Sequence, residues 1–137
     1  MFKSVLVPID LSDSERGKSG IAMAKQVAGE DAKIRLVSIV EHVPAYVAAQ
    51  IPKDVSAKLR DSAETDLKAI ATAAGLKASD AEIHSGTAAN GILSTAKAMD
   101  ADLIIIRSHK PGLQDYLIGS TAGRVVRHAQ CAVLVLR

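Results

Sequence analysis

Short apolar runs of strand length alternate with longer amphipathic stretches along the whole chain. Residues 3–9 (KSVLVPI) read as a strand buried on both faces. Ser12 and Glu15, three residues apart, form a capping-box pair ahead of a helix ending near Gly29. Gly17 and Gly20 share a face of that helix with Ile21 and Ala24, so small residues let it approach the sheet closely. Residues 34–40 (IRLVSIV) give the second strand, and a loop with His42, Pro44 and Tyr46 follows. A helix over about 54–74 carries Leu59, Ala63, Leu67, Ile70 and Ala74 on one stripe and stops at Gly75. Residues 81–84 make a short third strand, and Gly86 with Thr87 opens a helix that turns Ile92 and Ala96 inward. The run 102–106 (DLIII) is the clearest buried strand. A loop over 107–115, a helix over 120–129 and a last strand over 132–136 (AVLVL) complete the chain.

Strands separated by helices throughout predict an α/β fold with a parallel sheet of about five strands and right-handed crossovers. No internal repeat, low-complexity tract or linker interrupts it, so residues 1–137 are expected to form one domain.

Composition narrows the functional classes. With 2% aromatics and no Trp, the core must be built of Val, Ile, Leu and Ala, and a base-stacking platform for single-stranded nucleic acid is disfavoured. A net charge of +2 is too mild to indicate nucleic-acid binding by electrostatics. The single Cys131 cannot form an internal disulfide and fits a reducing cytoplasm. The apolar run at residues 5–7 is soon broken by Pro8 and Asp10, too short for a signal-peptide core, and no stretch reaches about 18 apolar residues. A cytoplasmic protein with no membrane partner is expected.

An open parallel sheet binds ligands in the crevice at the strands' C-terminal ends, where the winding direction reverses. Pro8, Ile9 and Asp10 follow the first strand there, and Arg107, Ser108, His109 and Lys110 follow the fourth. Gly119, Ser120 and Thr121 open a helix just beyond. A helix N-terminus offers unpaired N–H groups and partial positive charge, and Gly lets an anion reach the backbone. Hydroxyls from Ser120 and Thr121, with the cations Arg107 and Lys110, suit phosphate. Asp10 has two readings, a ligand group that accepts from an adenine amino group or ribose hydroxyl or holds a metal, or an Asx-turn or cap for the following helix. No P-loop is present, because the Gly119–Gly123 segment lacks its lysine, and the first strand is not followed by a G-x-G-x-x-G fingerprint. His42, His84, His109 and His128 have no metal-ligand spacing, Cys131 reads as a small buried residue, and Arg124 and Arg127 read as a solvated helix face. The apolar strand Ala132, Val133, Leu134, Val135 and Leu136 falls at a sheet edge, where a partner strand is the natural cover.

The opening VLVPIDLSDSE, the strand DLIIIRSH and the tail LIGSTAGRVVRHAQCAVLVLR resemble the universal stress protein family over essentially the whole chain. The ending GS-x-A-x-x-V-x-R-x-A-x-C-x-V-L-V is the most specific part, and the SHKP loop is similar to the bacterial F and G type branch. The resemblance implies a flavodoxin-like sheet (adenine nucleotide alpha hydrolase-like) of order 3-2-1-4-5, an adenine-nucleotide site, and homodimers paired partly through the last strand. Carried over residue by residue, Asp10 and the backbone of Ile39 would hold adenine, and Ile106, Arg107 and Gly119 would flank the ribose. Ser108, His109, Lys110, Ser120 and Thr121 would surround the phosphates of ATP or AMP, with Mg carried by those phosphates, while Pro8 shapes the floor.

The sequence departs from the family's Gly-x-x-Gly-x9-Gly-Ser/Thr motif. Arg107 and Lys110 replace the two glycines, and only eight residues separate Lys110 from Gly119. If those glycines serve φ > 0, Arg107 is costly; if they serve close approach, a side chain turned away still leaves room. Two functions follow: a nucleotide-binding homodimer responding to stress through an unknown protein partner, or a same-fold interaction dimer that has lost the nucleotide at Arg107 and Lys110. Enzymatic ATP hydrolysis is not expected, since beyond Asp10 no acidic metal ligand or water-positioning base is evident.

Overall fold

The computed structural model describes residues 1–108 and 118–137. Its five strands are β1 (Phe2–Pro8), β2 (Ala28–Glu41), β3 (Ala81–Gly86), β4 (Leu103–Arg107) and β5 (Ala132–Leu136). They form one sheet of order β3-β2-β1-β4-β5, every pair parallel, as the resemblance implied. The helices are α1 (Ser14–Val27), α2 (Ala45–Ala48), α3 (Lys53–Ala73), α4 (Ala88–Ala98) and α5 (Ser120–His128). The chain winds outward from β1 to β3, then resumes at β4 on the other side of β1. The direction of winding therefore reverses between β1 and β4.

Strand side chains alternate between the sheet's two faces. Val5, Val7, Leu36, Ile83, Leu103 and Ile105 join Ile21 and Ala24 of α1 and Leu67 and Ala71 of α3 in one core. Leu6, Val37, Ile104 and Ile106 join Ala89, Ile92 and Ala96 of α4 and Ala122 and Val125 of α5 in the other. The glycines of α1 act as expected: a Cβ on Gly17 would lie 3.0 Å from Ile9 Cδ1, and one on Gly20 would lie 3.1 Å from Val7 Cγ1. The helix rides on the strand side chains at backbone distance.

Four local features differ from the sequence reading. Asp10 caps a 3-10 turn, Leu11–Asp13, and α1 starts at Ser14, so Ser12 and Glu15 form no capping box. β2 begins at Ala28, where it pairs with Phe2 before the register skips to Ser4↔Lys33. The loop after β2 contains the single-turn α2. Leu59, the first member of the α3 stripe, is 62% exposed while Leu67 is fully buried. The stripe continues past the region the sheet covers.

At the opposite end from the crevice, Asp102 fastens β1 to the start of β4. Its Oδ2 accepts from the Lys3 N–H (2.8 Å) and its Oδ1 from the Ser4 N–H (2.9 Å). Partial burial works to raise its pKa. The N–H groups of Lys3 and Ser4, with the N-terminal charge, outweigh that and hold the carboxyl below its usual range. A lowered carboxyl pKa stabilises the fold above the ordinary carboxylate range, and this contribution fades as pH falls through the lowered value. Asp102→Asn turns an NH2 toward one of the two N–H groups. At neutral pH it is expected to cost about 1–2 kcal/mol in urea unfolding. The gap to the parent should close at acid pH; a gap independent of pH would contradict the assignment.

Candidate functional site

The winding reverses between β1 and β4, and open parallel sheets form their ligand crevice at the C-terminal ends of such strands; strand parity decides which side chains lie on each face there. Leu6 and Ile106 belong to the α4–α5 face, and alternation places Pro8 and Ser108 on that face too. Ile39, at the end of β2, packs against the same core. Ile106 and Ser108 are 5% and 7% exposed, and the Ser108 N–H continues the ladder to the Leu136 carbonyl at 2.8 Å. Ile9 and Arg107 have the opposite parity. Ile9 packs in the α1–α3 core against Gly17.

Arg107 follows that parity. One of its terminal nitrogens donates to Ser19 Oγ on α1. Its Nε is buried with no hydrogen-bond partner among the described residues. The guanidinium therefore lies on the α1 side of the sheet, away from the α4–α5 face. Of the two possibilities raised by an arginine at this position, the side chain turned away is the one adopted. Residue 107 is also absent from the positive-φ residues, among which the only non-glycine described is Asp100.

Asp10, two residues beyond β1, is in extended conformation (φ −88°, ψ 109°) and is exposed. Its Oδ1 accepts both the Ser12 N–H (2.9 Å) and the Ser12 hydroxyl (2.6 Å). The capping reading holds; the cap uses one oxygen, and no described hydrogen bond uses Oδ2. On the other side, Gly119 is the N-cap of α5, and among the described residues no side chain caps that end. The first intrahelical bond runs from the Gly123 N–H to the Gly119 carbonyl (2.7 Å). The N–H groups of Ser120, Thr121 and Ala122 are thus free of helix partners. Ser120 is the first helical residue rather than a cap. His109 and Lys110 lie outside the described residues.

Away from this end, a groove of about 440 Å³ lies between α4 and α5, with Ile104 and Ala96 in its wall and His128 and Cys131 at its border. Burial, then the nearby Asp102 carboxylate, pushes the Cys131 thiol up, which disfavours the reactive thiolate. Cys131 is half-buried, not fully buried as expected, and packs against the α4–α5 core.

The universal stress protein family matches residues 1–137. The chain belongs to that family. Among its relatives, universal stress protein G of Salmonella typhimurium is 28% identical over 142 residues, spanning 100% of each chain. Among solved structures, the hypothetical protein MJ0577 superposes with a TM-score of 0.78 at 23% identity, covering 99% of this chain and 96% of that one. A universal stress protein crystallised in complex with cAMP superposes with a TM-score of 0.56 at 22% identity, covering 99% and 97%. The two solved structures share the fold of this universal stress protein.

No local signal points to Ser19 as the partner of Arg107, since 88 residues separate them. A double-mutant cycle of Arg107→Ala and Ser19→Ala, read by urea unfolding, is expected to give a coupling of about 0.5–1 kcal/mol. Strict additivity would remove the contact.

Proposed function

We propose that this universal stress protein is a cytoplasmic, homodimeric stress-response module that binds an adenine nucleotide, ATP or AMP, in the crevice between β1 and β4. The observation that carries the reading is the Arg107 side chain, bonded to Ser19 on α1 and so clear of the α4–α5 face. Asp10 Oδ2 supplies an acceptor for the adenine amino group, and the open N–H groups of α5 supply a phosphate cradle. The cAMP complex of a protein with the same fold supports an adenosine phosphate as the ligand class. Mg would accompany the phosphates of ATP. Among the described residues Asp10 is the one evident base at the crevice, which favours binding over turnover.

The two sheet edges differ in a way that supports dimer pairing through β5. On edge strand β3, Glu82 binds Arg35 (2.6 Å) and His84 (3.0 Å), a charged surface that discourages strand addition. Edge strand β5 carries Val133, Leu134, Val135 and Leu136, all half-buried, with no charge between them.

Titration of the purified protein with ATP, AMP and GTP tests the site. Binding of ATP or AMP with preference over GTP is expected. Asp10→Asn keeps the capping oxygen but turns the other acceptor into a donor, so it should weaken binding about tenfold at unchanged stability. No detectable binding of either adenine nucleotide at about millimolar concentration would favour the interaction dimer that has lost the nucleotide. For assembly, Val135→Lys is expected to convert dimers to monomers in sedimentation experiments. An unchanged mass would refute pairing through β5.

A further inference from the structure

We infer that Gly91 sets the depth of the base pocket by seating the Ile39 side chain against α4. The inference rests on the nucleotide-binding reading above. A Cβ on Gly91 would fall 2.4 Å from Ile39 Cδ1, 2.9 Å from Cγ1 and 3.3 Å from Cγ2. The whole branched side chain thus occupies the place of a Cβ. Glycine in a helix interior is unfavourable, and α4 is otherwise rich in Ala, so its presence here calls for a packing reason.

The helical backbone around Gly91 is held in place within α4 itself. The Gly91 N–H donates to the Thr87 carbonyl (3.0 Å), and the Gly91 carbonyl accepts from Ser94 Oγ (3.1 Å) and Thr95 Oγ1 (2.8 Å). Thr95 is 4% exposed. With that local geometry kept, a methyl group at position 91 first meets the free end of the Ile39 side chain, which is the group that turns aside at least cost.

Strand register shows where Ile39 would go. On the β3 side it is paired with His84, whose ring is tied to Glu82. On the β1 side the ladder has already ended, the last pair being Pro8↔Val37. Among the described residues, the side of Ile39 with no paired strand residue is the one toward Asp10. Gly91 is accordingly a positioning residue, acting through Ile39 on the volume open to the adenine ring without touching the nucleotide.

The test is a four-protein cycle: parent, Gly91→Ala, Ile39→Ala and the double variant, each titrated with ATP and AMP and unfolded in urea. Gly91→Ala is expected to weaken both nucleotides about tenfold or more. Adding Ile39→Ala should bring the affinity back to within about threefold of Ile39→Ala alone. Stability should change sign across the cycle. Alanine at 91 lowers the urea midpoint beside Ile39 and raises it once Ile39 is shortened, because helix propensity then acts unopposed. The double variant keeps the test readable if Gly91→Ala alone fails to fold. A Gly91→Ala affinity within about twofold of the parent, or a weakening that persists in the double variant, overturns the inference while the nucleotide reading stands. A parent that binds neither nucleotide overturns both.

Discussion

A strand buried on both faces can present its side chains only in strict alternation, and the crevice depends on that constraint more than on any single contact. It turns Ile106 and Ser108 toward α4 and α5 while sending Ile105 and Arg107 toward α1. The same alternation on β1 separates Pro8 from Ile9. A cation at the position where the family carries a glycine is tolerated because the pleat directs it to the other face. Had the arginine stood one residue earlier or later, it would have entered the α4–α5 face itself.

Close approach of helices to the sheet is the second organising element, and it recurs on both faces. Gly17 and Gly20 let α1 rest on Ile9 and Val7, and Gly91 does the same for α4 on Ile39. With 2% aromatic residues, the chain lacks large rings to bridge wider gaps, so tight layers are how branched aliphatic side chains reach interior density. This packing also makes the crevice walls stiff, since a side chain wedged against helix backbone has few alternative rotamers.

The order of strands and helices could be read from apolar runs and punctuating glycines because those signals are local. Misreadings arose where two local signals competed or where tertiary context decided. Asp10 and Ser12 both offered caps for the turn after β1, and the upstream acceptor prevailed by binding the Ser12 N–H and hydroxyl together. Leu59 fits the α3 stripe, but periodicity carries no information about where the sheet beneath ends. The early start of β2 lies in a polar stretch with no pattern to announce it, its pairing with Phe2 followed by a register skip. At the crevice, Asp10 and the α5 N-terminus were legible from composition and position. The direction of Arg107 was not, because Ser19 lies 88 residues away in sequence.

The clasp made by Asp102 has a bearing on how the molecule is assembled. The Ser4 N–H and the Asp102 carboxylate stand 98 residues apart, so the amino-terminal strand cannot be secured at this point until most of the chain has been synthesised. Being central in the sheet, it is flanked early by β2 alone and leaves its other edge exposed. A nascent chain in that condition offers an apolar edge to any neighbour. The emergence of β4 is the step that ends this vulnerable interval during translation.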